Sequence, residues 1–359
     1  MTVCVTRLIP INKERVFYLK ETNILEVRGL KTHFHLDEGT LKAVDDVDFS
    51  IRTGKTLGII GESGCGKSVT AHSILNTVQM PGKIEAGVIE YRSQSGEIIE
   101  VTKEKSNSEA MRSIRGREIS MIFQEPMTSM SPVYSIGHQM TEAILVHQKK
   151  RNKAAKKEAE ERAVEMLNLV GMQGAKQRFH DYPHQLSGGM CQRAMIAMAL
   201  SLNPSILIAD EPTTALDVTV QAQITDLMMK LQEERGMSIL YITHDMGVIA
   251  EVADDICVMY LGKVVEQAPT DVLFSNPIHP YTVRLLKSIP RLGQKVPGKR
   301  LDAIKGNVPV PLDMPQICGF TSRCLEVKDG VCNKSVPPMV EVEPDHFVRC
   351  FLHDGRGES

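Results

Sequence analysis

The stretch GESGCGKS, residues 61–68, decides the fold. A Gly-x-x-x-x-Gly-Lys-Ser pattern wraps backbone N–H groups around phosphates, while Lys67 reaches the β- and γ-phosphates and the Ser68 hydroxyl ligates Mg²⁺. Glycine lets the backbone approach an anion closely at the N-terminus of a helix. The preceding TLGIIG (56–61) predicts a buried strand and the following SVTAHSIL (68–75) a helix. This strand–loop–helix context predicts a nucleotide-binding phosphate loop rather than a glycine-rich turn.

Composition and charge narrow the class of protein. The 359 residues are 42% hydrophobic and 24% charged, which suits a globular chain of one large or two ordinary domains. A formal net charge of −2 creates no global field that attracts nucleic acid or an anionic membrane. No apolar stretch approaches the roughly 18 residues of a membrane span, and residues 1–15 lack the apolar core of a secretory signal. We therefore expect a cytoplasmic protein.

Strand and helix patterns alternate along most of the chain. ILEVRGLKTHF (24–34) and LKAVDDVDFSI (41–51) predict strands, and residues 92–118 predict a hairpin followed by a connecting helix. Strands that alternate with helices favour an α/β fold with a mainly parallel sheet covered on both faces. Three further strands, each a single strand, are predicted at SILIAD (205–210), SILYITH (238–244) and ICVMYLGKVVEQ (256–267).

Composition also divides the chain into three parts. Residues 1–23 are predicted to be an N-terminal arm of uncertain order, residues 24–287 the nucleotide-binding domain, and residues 288–359 a proline-rich linker with a cysteine-rich C-terminal extension. Residues 147–170 carry charges of both signs at helical spacing. This pattern predicts a solvated helix face, with a docking surface as the alternative.

Two adjacent carboxylates follow the predicted strand at 205–210. Asp210, at the end of a buried strand beside a phosphate loop, can hold Mg²⁺, usually through water. Glu211 is then placed to polarise an attacking water. The alternative is an acidic loop that merely ends a strand, and the phosphate loop makes that alternative less favourable.

The segment LSGGMCQR (186–193) adds a second helix start of the kind that binds anions. Together with the phosphate loop and Asp210–Glu211, it makes residues 24–285 resemble an ATP-binding cassette (ABC) ATPase. The resemblance implies an ABC-type P-loop fold with a helical signature subdomain. It also implies that Ser187, Gly188 and Gly189 reach the γ-phosphate held by the opposite subunit of a dimer. Met190 stands where the family most often has Gln.

Four single residues extend this resemblance. Gln124 matches the residue that contacts Mg²⁺ and the attacking water, and His244 matches the switch histidine at the γ-phosphate. Asp217 matches the loop that crosses the dimer seam. Phe34 stands where the family stacks an aromatic ring on adenine, although a Phe that packs only in the core is the alternative. Taken alone, a strand-terminal His is more often structural than catalytic.

The resemblance thus implies ATP and Mg²⁺ as cofactors and a defined set of site residues. The predicted catalytic residues are Glu211, His244 and Gln124. The predicted Mg²⁺ ligands are Ser68, Gln124 and Asp210. The predicted nucleotide-binding residues are Phe34, Gly61, Glu62, Ser63, Gly64, Cys65, Gly66, Lys67, Ser68, Val69, Gln124, Ser187, Gly188, Gly189, Asp210 and Asp217. The Cys65 thiol, near a helix N-terminus, could have a lowered pKa, but a small loop residue is the simpler interpretation.

Half of the eight cysteines lie in the last part of the chain, where Cys318, Cys324, Cys332 and Cys350 follow the pattern C-x₅-C-x₇-C-x₁₇-C. Four thiolates can satisfy a tetrahedral zinc ion or a 4Fe–4S cluster. The gaps fit zinc poorly and also differ from common ferredoxin spacing. From spacing alone, a metal centre and unliganded thiols both remain open.

CGFTSRC (318–324) and PDHFVRC (344–350) resemble the C-terminal extension of ATPases from dipeptide and oligopeptide importers, the peptide/nickel class. FQEPMTSMSPVYSIGHQM (123–140) and NPIHPYTVRLL (276–286) resemble the same branch. The resemblance implies a 4Fe–4S cluster on the four cysteines that staples the extension. It also implies a second ATPase, identical or similar, two transmembrane permease subunits and an external solute-binding protein. The chain would then lie peripherally on the cytoplasmic face of the membrane, with peptides, nickel or oligosaccharides as cargo.

Two alternatives come from other classes. Soluble ABC ATPases of DNA repair carry a long coiled coil, and ribosome-associated ones carry two cassettes. Residues 69–185 show no sustained heptads, and the sequence contains one phosphate loop. The other alternative is an ATPase whose hydrolysis is regulated by a redox-active cluster.

Overall fold

Two β-sheets organise the part of the chain that this computed structural model describes, which is residues 22–148, 151–213, 216–288, 304 and 306–354. One sheet has four strands in the order β2-β1-β4-β5, and the other has eight in the order β11-β12-β10-β9-β3-β8-β7-β6. The strands are β1 (Asn23–Leu36), β2 (Gly39–Arg52), β3 (Thr56–Ile60), β4 (Gly82–Arg92), β5 (Ile98–Glu100), β6 (Ile119–Ile122), β7 (Ile206–Asp210), β8 (Ser238–Thr243), β9 (Asp255–Tyr260), β10 (Lys263–Pro269), β11 (Val340–Glu343) and β12 (His346–Val348).

The larger sheet has a parallel centre. β6, β7, β8, β3 and β9 pair in parallel, and almost every residue of these strands is buried. Apolar residues fill these strands because a parallel sheet is covered on both faces. Successive side chains point to opposite faces, so Ile59 joins the core beneath the four-stranded sheet and Ile60 the core beneath the helices. The predicted α/β class and mainly parallel sheet are confirmed.

Most of the helices cover one face of this sheet or build a separate helical subdomain, whereas the helices that carry Ala71 and Met111 pack in the core beneath the four-stranded sheet. α4, α5 and α7 pack against one another. Along α5, Ala155, Ala159 and Ala163 recur every four residues and are buried, while Lys156 and Glu160 form an exposed i,i+4 pair. The helices are α1 (Lys67–Ile74), α2 (Glu109–Ile114), α3 (Pro126–Ser129), α4 (Ile136–Leu145), α5 (Lys153–Leu169), α6 (Ala175–Arg178), α7 (Gly188–Leu200), α8 (Val218–Arg235), α9 (Met246–Val252), α10 (Thr270–Ser275) and α11 (Pro280–Lys287).

The smaller sheet is antiparallel, and it contains the two strands predicted at residues 24–34 and 41–51. β1 pairs with both β2 and β4, and β4 continues into β5 as the hairpin predicted within residues 92–118. α2 supplies the connecting helix, with Ser108 capping its first turn by accepting a hydrogen bond from Met111 N–H.

The single strand predicted at residues 256–267 is wrong, because the segment is a hairpin. β9 and β10 pair antiparallel and are joined at Leu261 and Gly262, which both have positive φ, 47° and 74°. Two consecutive residues with positive φ form the kind of tight turn that reverses a hairpin. Leu at the first of these positions gives no turn signal, so the sequence pattern runs through the turn.

The C-terminal extension, residues 288–359, adds two strands to the edge of the large sheet. β12 pairs antiparallel with β10, and β11 pairs with β12. The carboxylate of the fully buried Glu266, on β10, accepts hydrogen bonds from the backbone N–H groups of Ile278 (2.8 Å) and His279 (2.9 Å). Its Oε1 also lies 2.9 Å from His346 Nε2 of β12. A buried carboxylate with three partners ties the extension to the sheet.

Parts of the predicted domain division fall outside the described residues. Of the predicted N-terminal arm, residues 1–23, the structure describes only Thr22 and Asn23, and β1 begins at Asn23. Residues 289–303 and 305 of the predicted linker lie outside the described residues as well. The proposed boundaries therefore stay predictions. Among the helices of the described residues, none is long and apolar enough to cross a membrane.

Candidate nucleotide-binding and catalytic site

The phosphate loop, residues 61–68, connects β3 to α1 as predicted. Gly66 precedes α1 with φ 102°, and a Cβ there would lie 2.1 Å from the carbonyl oxygen of Ala43. Only glycine fits this close approach. Lys67 opens α1, is 5% exposed, and donates from Nζ to the carbonyl oxygens of Gly61 (2.8 Å) and Glu62 (3.2 Å). The ammonium group is thus held within the loop that would receive the phosphates.

Cys65 has the simpler of its two predicted roles. Its side chain is fully buried, and burial raises the pKa of the thiol. A Cβ at residue 61 would lie 2.7 Å from the Cys65 sulfur, so Gly61 leaves the space that the small Cys65 side chain fills. The idea of a low-pKa, oxidisable thiol is wrong, because desolvation outweighs the nearby Lys67 charge.

Ser68 and Asp210 together form the candidate Mg²⁺ site. Asp210 ends β7 and is 3% exposed, and the nearby Ser68 side chain opposes the rise of its pKa. Its Oδ1 is buried and has no hydrogen-bond partner among the described residues. Burial, helped by the charge of Glu211, raises the pKa of Asp210. An orphaned buried carboxylate oxygen beside a serine hydroxyl fits a hard divalent cation, which prefers oxygen ligands.

Two predicted catalytic side chains contact the carboxylate of the third, Glu211. Gln124 Nε2 donates to Glu211 Oε2 at 3.0 Å, and His244 Nδ1 lies 3.2 Å from Glu211 Oε1. The Glu211 side chain is 12% exposed, whereas that of His244 is 61% exposed. Gln124 follows β6, Glu211 follows β7 and His244 follows β8, so parallel pairing brings all three to one edge. Their individual roles stay predictions.

The backbone of Glu211 is itself unusual. Its φ is 46°, in the left-handed region that non-glycine residues rarely adopt, and its N–H donates to the carbonyl oxygen of Ile242 at 2.8 Å. Strained backbone of this kind persists where surrounding structure fixes it and clusters at functional sites. The conformation holds the carboxylate between Gln124 and His244.

The signature loop, residues 186–193, begins α7. Ser187 caps the helix by accepting a hydrogen bond from Met190 N–H at 3.4 Å, and Ser187 and Gly188 are exposed. Among the described residues, the hydrogen bonds of Ser187 remain at the start of its own helix. Asp217, also exposed, caps α8 through Val220 N–H at 3.0 Å. In the part of the chain that the structure describes, no hydrogen bond joins either capped helix start to the phosphate loop, and both Ser187 and Asp217 are exposed.

Phe34 lies on β1 against β4. It pairs with Gly82, and a Cβ at Gly82 would lie 2.6 Å from the Phe34 ring. The ring is half-buried, so one side packs on the sheet. Adenine stacking by Phe34 stays a prediction, as do the nucleotide contacts of Ser63, Gly64 and Val69.

The four cysteines of the C-terminal extension come together but form no metal site as they stand. Cys318, Cys324, Cys332 and Cys350 all line one cavity. Nevertheless, the His, Cys, Asp and Glu side chains of the described residues form no group of three or more that could hold a metal ion. Burial raises the pKa of Cys318, Cys324 and Cys350, the last to about 12, which favours protonated thiols. The predicted 4Fe–4S cluster therefore has no support in this structure.

Sequence analysis missed two residues that hold the phosphate loop from behind. The Tyr281 hydroxyl accepts the Glu62 N–H at 3.0 Å, and Arg323 forms a two-point ion pair with the Glu62 carboxylate. Tyr281 and Arg323 stand 219 and 261 residues after Glu62. No local spacing signal could reveal contacts at such separations.

A phosphate loop on a parallel sheet, a carboxylate pair at the end of β7 and a separate helical subdomain define a P-loop nucleotide hydrolase. Comparison with known proteins gives the family. The ABC transporter family matches residues 44–214, and the oligopeptide/dipeptide transporter C-terminal region matches residues 265–332. The chain belongs to the ABC transporter family of ATPases.

Similar proteins cover nearly the whole chain. A putative peptide import ATP-binding protein of Brucella melitensis is 48% identical over 91% of this chain and 96% of its own length. The oligopeptide transport ATP-binding protein AppD of Bacillus subtilis is 48% identical over 94% of this chain and 98% of its own length. The dipeptide transport ATP-binding protein DppD of Lactococcus lactis is 43% identical over 94% and 93%.

Solved structures agree with the fold. A dimeric ATP-binding cassette in a post-hydrolysis state with ADP and Pi has a TM-score of 0.59 and 26% identity, and covers 68% of this chain and 98% of that one. The protein cbiO1 of Clostridium perfringens, part of an ABC transporter complex, has a TM-score of 0.56 and 25% identity, and covers 74% and 94%.

Asp210→Asn should weaken the effect of Mg²⁺ on ATP binding. The substitution keeps the shape but removes the charge beside Ser68, so Mg²⁺ should bind at least about ten-fold more weakly. Titration of the full chain with a fluorescent ATP analogue, with and without Mg²⁺, measures the difference. Asp226→Asn, on the exposed face of α8, is the control. An unchanged Mg²⁺ effect in Asp210→Asn would contradict the assignment.

Proposed function

We propose that this chain is the ATP-hydrolysing subunit of an ABC importer for dipeptides or oligopeptides. The observation that carries the hydrolytic part is the meeting of Gln124 and His244 on the Glu211 carboxylate, beside the phosphate loop. The import part is supported by the match of residues 265–332 to a peptide-transporter region and by relatives named for peptide import.

The site residues divide the chemistry among them. Lys67 would leave the loop carbonyl oxygens that now hold it and bind phosphate oxygens, while Ser68 and Asp210 would hold Mg²⁺. Mg²⁺, when bound, neutralises charge on the β- and γ-phosphates. Glu211 orients and polarises the attacking water, and the contacts from Gln124 and His244 fix the direction of its carboxylate. Phosphoryl transfer needs this positioning more than it needs covalent chemistry.

Hydrolysis in this proposal requires two ATPase subunits. The exposed start of α7, with Ser187, Gly188 and Gly189, supplies helix N–H groups to the γ-phosphate held by the opposite subunit. Asp217 lies at the seam between the subunits. ATP then favours the closed dimer and hydrolysis releases it, because the nucleotide binds the closed state more tightly.

The remaining partners follow from the importer class. The second ATPase is a copy of this chain or a similar one, and two transmembrane permease subunits and an external solute-binding protein complete the complex. The chain lies peripherally on the cytoplasmic face of the membrane. It needs no nucleic acid.

Glu211→Gln should bind ATP yet hydrolyse it about 10²–10⁴-fold more slowly, since the amide cannot act as a general base. The trapped ATP should hold the chain as a dimer. Turnover assays and size-exclusion chromatography with ATP and Mg²⁺ measure both effects. Glu234→Gln, at the exposed end of α8, should behave as wild type. Near-normal turnover in Glu211→Gln would refute this role.

Peptides should stimulate ATP hydrolysis in the assembled transporter. We expect stimulation when the chain is reconstituted in vesicles with its permease subunits and peptide is presented by the binding protein. DNA or ribosomes added to the same ATPase assay should have no effect. Stimulation by either of them, without a response to peptide, would favour the DNA-repair or ribosomal class instead.

The iron–sulfur prediction is a separate proposal about the C-terminal extension. It rests on the resemblance of CGFTSRC (318–324) and PDHFVRC (344–350) to the extension of peptide-importer ATPases. In the structure the four cysteines line one cavity without forming a metal site. Because burial raises the pKa of Cys318, Cys324 and Cys350, a cluster would have to displace protons from these thiols. Its role would be to staple the extension.

Metal analysis of anaerobically purified protein tests this proposal. About four iron and four acid-labile sulfide per chain are expected for a 4Fe–4S cluster, and Cys324→Ser should lose them. Cys191→Ser is the matched control, because Cys191 is buried in α7, outside the cavity. Zinc, or no metal, in the wild type would refute the cluster and leave the ATPase assignment intact.

A further inference from the structure

The C-terminal extension touches the phosphate loop directly through Arg323. Its Nη1 donates to Glu62 Oε2 at 2.6 Å and its Nη2 to Glu62 Oε1 at 2.9 Å. This fork-to-carboxylate geometry is the strongest form of side-chain ion pair, since two parallel charged hydrogen bonds fix direction as well as distance. Glu62 is the second residue of the phosphate loop, so the pair joins the extension to the nucleotide site.

The surroundings make this pair rigid. The Arg323 side chain is only 4% exposed, its guanidinium lies 5.8 Å from the centre of the Tyr260 ring, and Nη1 is 3.4 Å from the Tyr260 hydroxyl. Hydrogen bonding to Glu62 raises the pKa of Arg323, so the charge persists despite burial. Removing one partner of such a pair leaves the other charge desolvated and unpaired.

A second contact from the same cluster holds the Glu62 backbone. The Tyr281 hydroxyl accepts the Glu62 N–H at 3.0 Å. The rings of Tyr281, Tyr260 and Phe320 pack with centroids 4.8 to 5.5 Å apart, and Phe320 belongs to the extension. The extension thus contributes Arg323 and the Phe320 ring to the cluster of side chains that contacts Glu62.

The position of Glu62 matters for phosphate binding. Its carbonyl oxygen is one of the two that hold Lys67 Nζ, and its N–H is one of the loop amides. A shift of the Glu62 backbone would therefore displace both a loop amide and the carbonyl oxygen that accepts a hydrogen bond from Lys67 Nζ. Displacements of about 1 Å from residues outside the chemistry can cost large factors in function.

We propose that Arg323 is a positioning residue for ATP binding: through Glu62, the C-terminal extension sets the shape of the phosphate loop and hence the affinity for MgATP. The inference deepens the ATP-binding part of the proposed function. It needs neither peptide import nor a metal centre.

Arg349 provides a matched comparison. It also belongs to the extension, its side chain is 6% exposed, and it pairs with a cassette carboxylate, Asp46, that is 28% exposed, as Glu62 is. Arg349 also donates to the carbonyl oxygen of Val264 at 3.1 Å, so it ties the extension to β10 rather than to the phosphate loop. Loss of either arginine weakens docking of the extension, but only loss of Arg323 frees Glu62.

The experiment measures Kd for MgATP in the full chain and KM and kcat for hydrolysis. Arg323→Gln should raise Kd and KM about ten-fold with little change in kcat, as expected for loss of a charged hydrogen-bonded pair. Arg323→Lys should recover part of the affinity. Arg349→Gln should stay within about two-fold of wild type, because its partners Asp46 and Val264 are not residues of the phosphate loop.

A double-mutant cycle with Glu62→Gln identifies the route. Arg323→Gln should have little further effect once the Glu62 charge is gone, because the two act as one pair. Equal changes in Kd for Arg323→Gln and Arg349→Gln would overturn the proposal and assign the effect to general docking. An unchanged Kd in Glu62→Gln would overturn it as well, and that test stands even if Arg323→Gln fails to fold. If the wild-type chain binds MgATP with normal affinity but peptide does not stimulate hydrolysis, the result would contradict peptide import and not the role of Arg323.

Discussion

Parallel pairing of β3 with β8, of β8 with β7 and of β7 with β6 is the constraint on which the site depends. In a parallel sheet the carboxyl ends of all strands lie at one edge, so the segments that follow them are brought together whatever their separation along the chain. The phosphate loop, Gln124, Asp210–Glu211 and His244 each follow one of these strands. A hydrolytic site therefore results from topology, and the left-handed backbone of Glu211 adds local strain to it.

Elements with a strong local signal are predictable from the sequence. The apolar runs of β3, β7 and β8, the glycines of the phosphate loop and the capping residue of α7 all encode their structure within a few neighbouring residues. The convergence of Gln124 and His244 on Glu211 was also predictable, but through family resemblance rather than spacing. The sequence-based prediction failed at the turn Leu261–Gly262. The conformation of this turn depends on pairing between β9 and β10 and not on its own residues.

Contacts made by the C-terminal extension were beyond prediction for a different reason. Prolines and cysteines dominate the sequence pattern there, so it predicts a linker and a metal centre. The structure instead uses residues that carry no motif: His346 on the buried Glu266, Arg349 on Asp46 and Arg323 on Glu62. Each pair joins segments at least 80 residues apart, so no local sequence pattern reveals it.

These three pairs also differ in what they can do. Burying polar or charged partners brings little net stability, because the cost of desolvating them offsets their attraction. Its value lies in geometry, since a pair with fixed direction excludes other arrangements. Glu266 and Asp46 fix how the extension lies on the cassette, whereas Glu62 fixes the loop that receives phosphates. The same class of interaction therefore serves docking at two places and the nucleotide at a third, and only the identity of the carboxylate separates the two roles.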